Sequence, residues 1–140
     1  MKIAVIDGMG GGIGAQIVSR LRQIVAGSHQ LIALGTNAAA TTGMIKAGAD
    51  IGATGENAII VTVPRMDVIV GPIGIIIPNS LMGEVTPAVA ATVASSGAVK
   101  VLIPVQQPHV EIIGFESRPL SAALDDVAAR VSELVCSISN

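Results

Sequence analysis

Hydrophobic positions along the chain alternate between short β-branched runs and longer segments with helical spacing. Residues 2–6 form the first apolar run and predict a strand. Residues 12–26 place Ile13, Ile17 and Leu21 on one stripe, which predicts an amphipathic helix. The same alternation predicts further strands at 30–34, 51–53, 68–71 and 99–105, and further helices at 38–47, 86–96 and 121–136.

Two segments are ambiguous in this pattern. The β-branched residues of 58–63 favour a strand, but the position of the segment between two strands favours a short helix, which we predict. Residues 110–115 follow the fifth strand too closely for a crossover helix, so we expect an antiparallel strand there. The chain is therefore predicted to be one Rossmann-like α/β domain over 1–140. Its doubly wound sheet would be mostly parallel, with an antiparallel last strand.

Composition adds an expectation about partners. The chain is 51% hydrophobic and only 13% charged, against about 25% charged in an average soluble domain. We therefore expect apolar surface to be covered in a homo-oligomer, with the isoleucine-rich loop at 71–80 as one contact. A lid or a wall of the ligand site is the alternative for this loop. The apolar runs are too short to span a membrane, and no signal peptide is visible, so we expect a cytoplasmic protein. The eight basic residues are scattered and there is one aromatic residue, so nucleic-acid binding is not expected.

The strongest functional signal is the glycine-rich loop that joins the first strand to the first helix. Backbone N–H groups in such a loop, at the start of a helix, can hold a phosphate group. Gly10, Gly12 and Ala15 fit the G-x-G-x-x-G/A pattern of dinucleotide-binding folds. A glycine turn that only packs the helix close to the sheet is the alternative. The predicted binding residues of the loop are Gly8, Met9, Gly10, Gly11, Gly12, Ile13 and Gly14.

Several groups that known nucleotide sites use are missing from this neighbourhood. The second strand ends in Gly35, Thr36 and Asn37, where a dinucleotide fold places an acid for the ribose. Thr36 and Asn37 can instead donate hydrogen bonds, so we expect NADP to bind better than NAD, although a mononucleotide remains an alternative. The segment resembles the glycine loop of short-chain dehydrogenases, but the absence of tyrosine excludes their mechanism. We expect Asp7 to bond the N–H groups of its own loop, with a water-mediated Mg²⁺ as the alternative.

Catalytic candidates are few. Glu56 begins a predicted helix, and an ordinary helix start is the alternative to a catalytic role. His109 and Glu111 would share one face of the predicted last strand and could act as an acid–base pair. The two histidines and the single cysteine form no metal-ligand pattern, so no metal site is predicted.

Four further segments, together with the glycine loop, carry a resemblance to a known family: 34–37, 47–50, 52–58 and 71–74. With them the chain resembles a short bacterial family classified as a domain of unknown function. The resemblance implies a Rossmann-like fold and no catalytic residues. A protein that binds a nucleotide, a dinucleotide or another small phosphorylated ligand is the first hypothesis. The alternatives are a non-enzymatic oligomeric subunit and a metabolite sensor.

Overall fold

The computed structural model describes residues 1–105 and 107–138 as alternating strands and helices. The strands are β1 (Lys2–Asp7), β2 (Gln30–Gly35), β3 (Ile51–Thr54), β4 (Val68–Pro72) and β5 (Val99–Ile103). The helices are α1 (Gly12–Arg22), α2 (Ala38–Lys46), α3 (Glu56–Thr62), α4 (Pro87–Ser95) and α5 (Leu120–Ile138). Two short 3₁₀ turns lie at Val63–Arg65 and Ile73–Ile76.

The five strands form one parallel sheet in the order β3-β2-β1-β4-β5. β1 lies in the centre and pairs with β2 on one side and with β4 on the other. The chain therefore builds one half of the sheet, crosses over β1 and builds the other half. This is the Rossmann-like arrangement, in which the crevice between the loops after β1 and β4 is the usual ligand position.

Helices cover both faces of the sheet because the central strands are apolar on both faces. Along β1, Ile3 and Val5 pack with α1, α2 and α5, while Ala4 and Ile6 pack with α3 and α4. All four side chains are fully buried. The helix predicted for 58–63 is confirmed by α3, whose Ile59 joins the second of these cores.

Two predicted boundaries and one predicted strand need correction. α1 ends at Arg22 rather than at Ala26, and the N–H groups of Ile24 and Val25 share the carbonyl of Leu21 in the turn that follows the helix. β5 ends at Ile103, and 110–115 contains no strand. The described residues of this region have only an isolated antiparallel bridge between Gln107 and Val110.

Residues 108–119 are exposed along their whole length, and this explains the missing strand. A strand needs a buried face and a continuous hydrogen-bonded partner. Among the described residues, this segment has no buried face and pairs only through the single bridge at Val110. Gly114, which has a φ of 84°, and the prolines at 108 and 119 also interrupt extended structure. Among the described helices, none has both the length and the apolar character needed to cross a membrane.

Candidate functional site

Asp7 is the last residue of β1 and is 4% exposed. Its carboxylate accepts hydrogen bonds from the N–H of Gly8 (2.8 Å) and from the N–H of Gly14 (2.6 Å). Gly14 lies in the first turn of α1, so Asp7 ties the end of β1 to the start of this helix. Burial raises the pKa of Asp7, and the two backbone hydrogen bonds offset part of this rise. The expectation that Asp7 bonds its own loop is confirmed.

The glycines of the loop fall into two groups. The first group is required by contacts within the chain. Gly11 has a φ of 71° and a Cβ there would lie 2.7 Å from the Cα of Ala40, while a Cβ on Gly14 would lie 2.8 Å from the Met44 sulfur. A Cβ on Gly8 would clash with the Thr36 hydroxyl.

Gly10 and Gly12 form the second group. A Cβ at either position would meet no atom of the described residues within 4 Å, and neither residue has a positive φ. Contacts within the chain therefore do not explain why glycine stands there. The two residues border open space at the carboxyl edge of the sheet, where a ligand would approach the backbone.

The N–H groups of the loop also fall into two groups, those with a hydrogen-bond acceptor among the described residues and those without one. The Met9 N–H donates to Glu84 Oε1 (3.1 Å) and the Gly11 N–H donates to the Gly8 carbonyl (2.9 Å). Among the described residues, none accepts a hydrogen bond from the N–H of Gly10, Gly12 or Ile13. Gly12 and Ile13 are the first two residues of α1, where N–H groups have no partner inside the helix.

Glu84 is the site residue that sequence reasoning did not assign. Its Oε1 atom accepts three hydrogen bonds, from the Thr36 hydroxyl (2.7 Å), the Asn37 side-chain amide (2.7 Å) and the Met9 N–H (3.1 Å). These bonds, from Thr36 first and Asn37 second, lower the pKa of Glu84 and hold the carboxylate in its charged form. The premise that no carboxylate stands at the end of β2 is therefore wrong.

A compact loop after β4 carries Glu84 to this position. The hydroxyl of Ser80 donates to the carbonyls of Gly74 and Ile77, and the Asn79 N–H donates to the Val85 carbonyl (2.7 Å). Asn79, Leu81 and Met82 all have a positive φ, which is uncommon for residues other than glycine. Within the isoleucine-rich segment, Ile75 is fully buried in the core and supports this loop, while the expected oligomer contact of the segment stays a prediction.

Thr36 and Asn37 lie at the site as predicted, but both side chains already have partners within the chain. Asn37 caps α2 by accepting from the Ala40 N–H (2.9 Å). Its amide also donates to the Met9 carbonyl (2.8 Å), in addition to Glu84. Asn37 thus joins the end of β2 to both the glycine loop and the Glu84 loop.

The three catalytic candidates are not brought together. Glu56 is exposed at the start of α3. The strand that would place His109 and Glu111 on one face is absent, and His109 stands in a turn with a φ of 63°. The described residues provide none of these three side chains with a hydrogen bond to the glycine loop. They also contain no group of three or more His, Cys, Asp or Glu side chains placed to hold a metal ion.

A groove of about 860 Å³ lies between β5, α5 and the exposed segment 108–119. Its wall includes Ile103, Val110, Phe115 and Val127, and the ion pair of Arg118 with Asp126 stands at it. One lining residue, Ile73, lies at the start of the segment after β4, and none of the lining residues belongs to the glycine loop or bonds Glu84. The groove is therefore a separate, mainly apolar feature.

Comparison with known proteins identifies the family. A family model described as a domain of unknown function (DUF3842) matches residues 2–136, so the chain belongs to this family. This membership confirms the resemblance to a family of unknown function. No curated protein matches the chain.

Among solved structures, the chain is similar to a dodecameric FMN-dependent UbiX-like decarboxylase from Escherichia coli O157:H7. The two are 16% identical, with a TM-score of 0.44, and the match covers 96% of this chain and 94% of that chain.

Proposed function

We propose that the chain binds a small phosphorylated ligand, a nucleotide or dinucleotide, at the N–H groups of Gly10, Gly12 and Ile13. The observation that carries the proposal is the coincidence of open space with free donors. Gly10 and Gly12 border space that no atom of the chain fills, and the same segment presents N–H groups without a partner among the described residues.

The physical basis is the start of α1. The first N–H groups of a helix carry partial positive charge, and a phosphate oxygen can accept from several of them at once. Asp7 takes the N–H of Gly14 from inside the fold and leaves the outer donors free. Both carboxylate oxygens of Asp7 already accept backbone N–H groups, from Gly8 and Gly14, and the side chain is buried, so it does not compete for the outer donors.

The test is a substitution that fills the space without disturbing the fold. Gly12→Val places a branched side chain where the phosphate would lie, and its Cβ meets no atom of the chain within 4 Å. Gly43→Val is the matched control, because Gly43 lies in α2 and a Cβ there also meets nothing. Calorimetry with pyrophosphate and with nucleoside diphosphates should show binding to wild type and Gly43→Val, and at least tenfold weaker binding to Gly12→Val. Equal affinity in a folded Gly12→Val protein would overturn the proposal.

A subunit or sensor that keeps the fold without a cofactor is the second candidate. The observation in its favour is that Glu84 already accepts hydrogen bonds from the donors of Met9, Thr36 and Asn37. These three polar groups of the site therefore need no ligand to satisfy them. Absence of binding by pyrophosphate and by every nucleotide would favour this candidate.

We also propose that the chain forms a homo-oligomer through the exposed segment 108–119. Its apolar side chains face solvent in one copy, with Ile113 93% exposed and Phe115 44% exposed. Large apolar side chains exposed close together are typical of protein interfaces. Light scattering coupled to size exclusion tests the proposal, and a monomer mass at micromolar concentration would contradict it.

A further inference from the structure

We propose that Glu84 is the ribose-binding group of this site, so that the ligand is a nucleotide whose 2′-hydroxyl is free. This inference rests on the proposed function and names the ligand class more closely. It would also make the site selective against a phosphate on the ribose.

The position of the carboxylate is the first reason. Dinucleotide-binding folds use an acid at the end of the second strand to accept hydrogen bonds from ribose hydroxyls. In this chain β2 ends at Gly35, and the residues that follow are Thr36 and Asn37, which carry no charge. Glu84 comes from the loop after β4, yet its Oε1 atom lies 2.7 Å from the donors of both residues. A carboxylate therefore stands beside the end of β2, supplied from another part of the chain.

The free oxygen of the carboxylate is the second reason. All three hydrogen bonds that the Glu84 carboxylate accepts go to Oε1, and the described residues give Oε2 no partner. In the described part of the chain, His29 Nδ1 is the single buried side-chain polar atom without a partner. Oε2 is thus open to solvent and can accept from a hydroxyl of a bound ligand. A carboxylate accepts hydrogen bonds from hydroxyls but repels the oxygens of a phosphate.

The separation of donors and acceptor is the third reason, and it argues against Glu84 as an internal substitute for the phosphate. Such a substitute would occupy the donors that the phosphate needs. Glu84 takes the Met9 N–H and leaves those of Gly10, Gly12 and Ile13 free. The site therefore offers free donors at the start of α1 and a free acceptor at the end of β2, as a nucleotide with a phosphate and a ribose requires.

The experiment compares probes of equal charge. The four common ribonucleoside 5′-diphosphates and their 2′-deoxy counterparts are titrated into wild type, Glu84→Gln and the control Glu133→Gln, with pyrophosphate as the phosphate-only probe. Glutamine keeps an oxygen that can accept from Thr36 and Asn37, so the loop should stay folded, which circular dichroism checks. Glu133 lies on the exposed surface of α5, and its loss removes one negative charge away from the site.

We expect wild type and Glu133→Gln to bind the ribose form roughly tenfold more tightly than the 2′-deoxy form, the usual contribution of a hydrogen bond to a charged group. Glu84→Gln should reduce this ratio to about two. NADP should bind wild type more weakly than NAD, and Glu84→Gln should narrow that difference.

Other outcomes separate the inference from the proposed function. Equal affinity of wild type for ribose and deoxyribose forms would overturn the inference. So would a Glu84→Gln protein that binds every probe more tightly, pyrophosphate included, with an unchanged ratio, because Glu84 would then act as a competitor. Binding of pyrophosphate without any nucleotide would overturn the inference and leave the proposed function standing. Failure of pyrophosphate and of all nucleotides to bind would overturn both.

Discussion

Gly14 and Gly12 stand two residues apart at the start of α1, and alanine should have opposite effects at the two positions. A Cβ on Gly14 would lie 2.7 Å from the Cβ of Asp7, 2.8 Å from the sulfur of Met44 and 2.9 Å from the carboxylate oxygen Oδ2 of Asp7. A Cβ on Gly12 would meet nothing within 4 Å. Substitution at Gly14 therefore disturbs the packing of the loop, while substitution at Gly12 does not.

Three terms determine the size of the effect at Gly14. Alanine gains up to about 1 kcal/mol over glycine from helix propensity. Overpacking of a filled site costs about 1–3 kcal/mol. Displacement of Asp7 also weakens its 2.6 Å hydrogen bond to the Gly14 N–H, and hydrogen bonds to charged groups contribute about 1.5–3 kcal/mol. The two losses exceed the gain, so we expect Gly14→Ala to lower the free energy of unfolding by roughly 2–4 kcal/mol.

Gly12→Ala retains only the propensity gain and should leave stability unchanged or raise it by up to about 1 kcal/mol. Urea denaturation followed by circular dichroism at 222 nm is the suitable assay, because the chain contains no tryptophan or tyrosine for fluorescence. Protein concentration is kept constant, since association would shift the midpoint. A Gly14→Ala midpoint equal to that of wild type, or a clearly destabilised Gly12→Ala protein, would refute the division of the glycines into two groups.

Four further predictions concern the same site and the exposed segment. Asn37→Ala removes the cap of α2 and the hydrogen bonds to Met9 and Glu84, so it should lower the free energy of unfolding by about 2–3 kcal/mol. The control Thr86→Ala removes only the cap of α4 and should cost about 1 kcal/mol. Equal urea midpoints for the two variants would contradict this prediction. The lowered pKa of Glu84 means that its stabilisation is present above about pH 4.3 and is lost as the pH falls through the folded pKa; Glu84→Gln should abolish this loss in denaturation curves from pH 3 to 7. The raised pKa of Asp7 has the opposite effect on the pH dependence of stability. The contribution of Asp7 is fully present below about pH 3.9 and is lost as the pH rises through the folded pKa. If the decline in stability persists in Asp7→Asn, it has another source. Ile113→Ser should lower the assembly mass in light scattering at a fixed protein concentration, and an unchanged mass would place the interface elsewhere.

The fold was predictable from the sequence where one strong local pattern decides the structure. The uniformly apolar run of β4 indicated a strand buried on both faces, and Thr86 followed by proline indicated the start of α4. Both are found in the structure, with Thr86 accepting from the Val89 N–H (3.1 Å). Residues 110–115 show the limit of such patterns. Three of these six residues are β-branched (Val110, Ile112 and Ile113), but a strand also needs a partner to pair with, and sequence periodicity carries no information on that.

The candidate site was predictable only where its contacts are local. Asp7 bonds Gly8 and Gly14, one and seven residues away, so the glycine loop itself indicated what the carboxylate does. Glu84 bonds Asn37, Thr36 and Met9 across 47, 48 and 75 residues. The sequence around Glu84 contains Gly83 and the polar residues of a loop, and nothing in it indicates the end of β2 as the destination.

If Glu84 binds the ribose, as we propose, the expected cofactor preference is the opposite of the one that the sequence suggested. The residues that directly follow the core of β2 in the sequence, Gly35, Thr36 and Asn37, include no acid. Without an acid to repel a 2′-phosphate, the sequence favoured NADP over NAD. In the fold, β1 separates β2 from β4, and the loop after β4 reaches across the glycine loop to Thr36 and Asn37. An acid missing from one stretch of sequence is therefore present in space, because a parallel sheet brings the ends of distant strands to one edge. The charge found at that edge favours a free ribose hydroxyl over a phosphate, and a comparison of NAD with NADP decides between the two expectations.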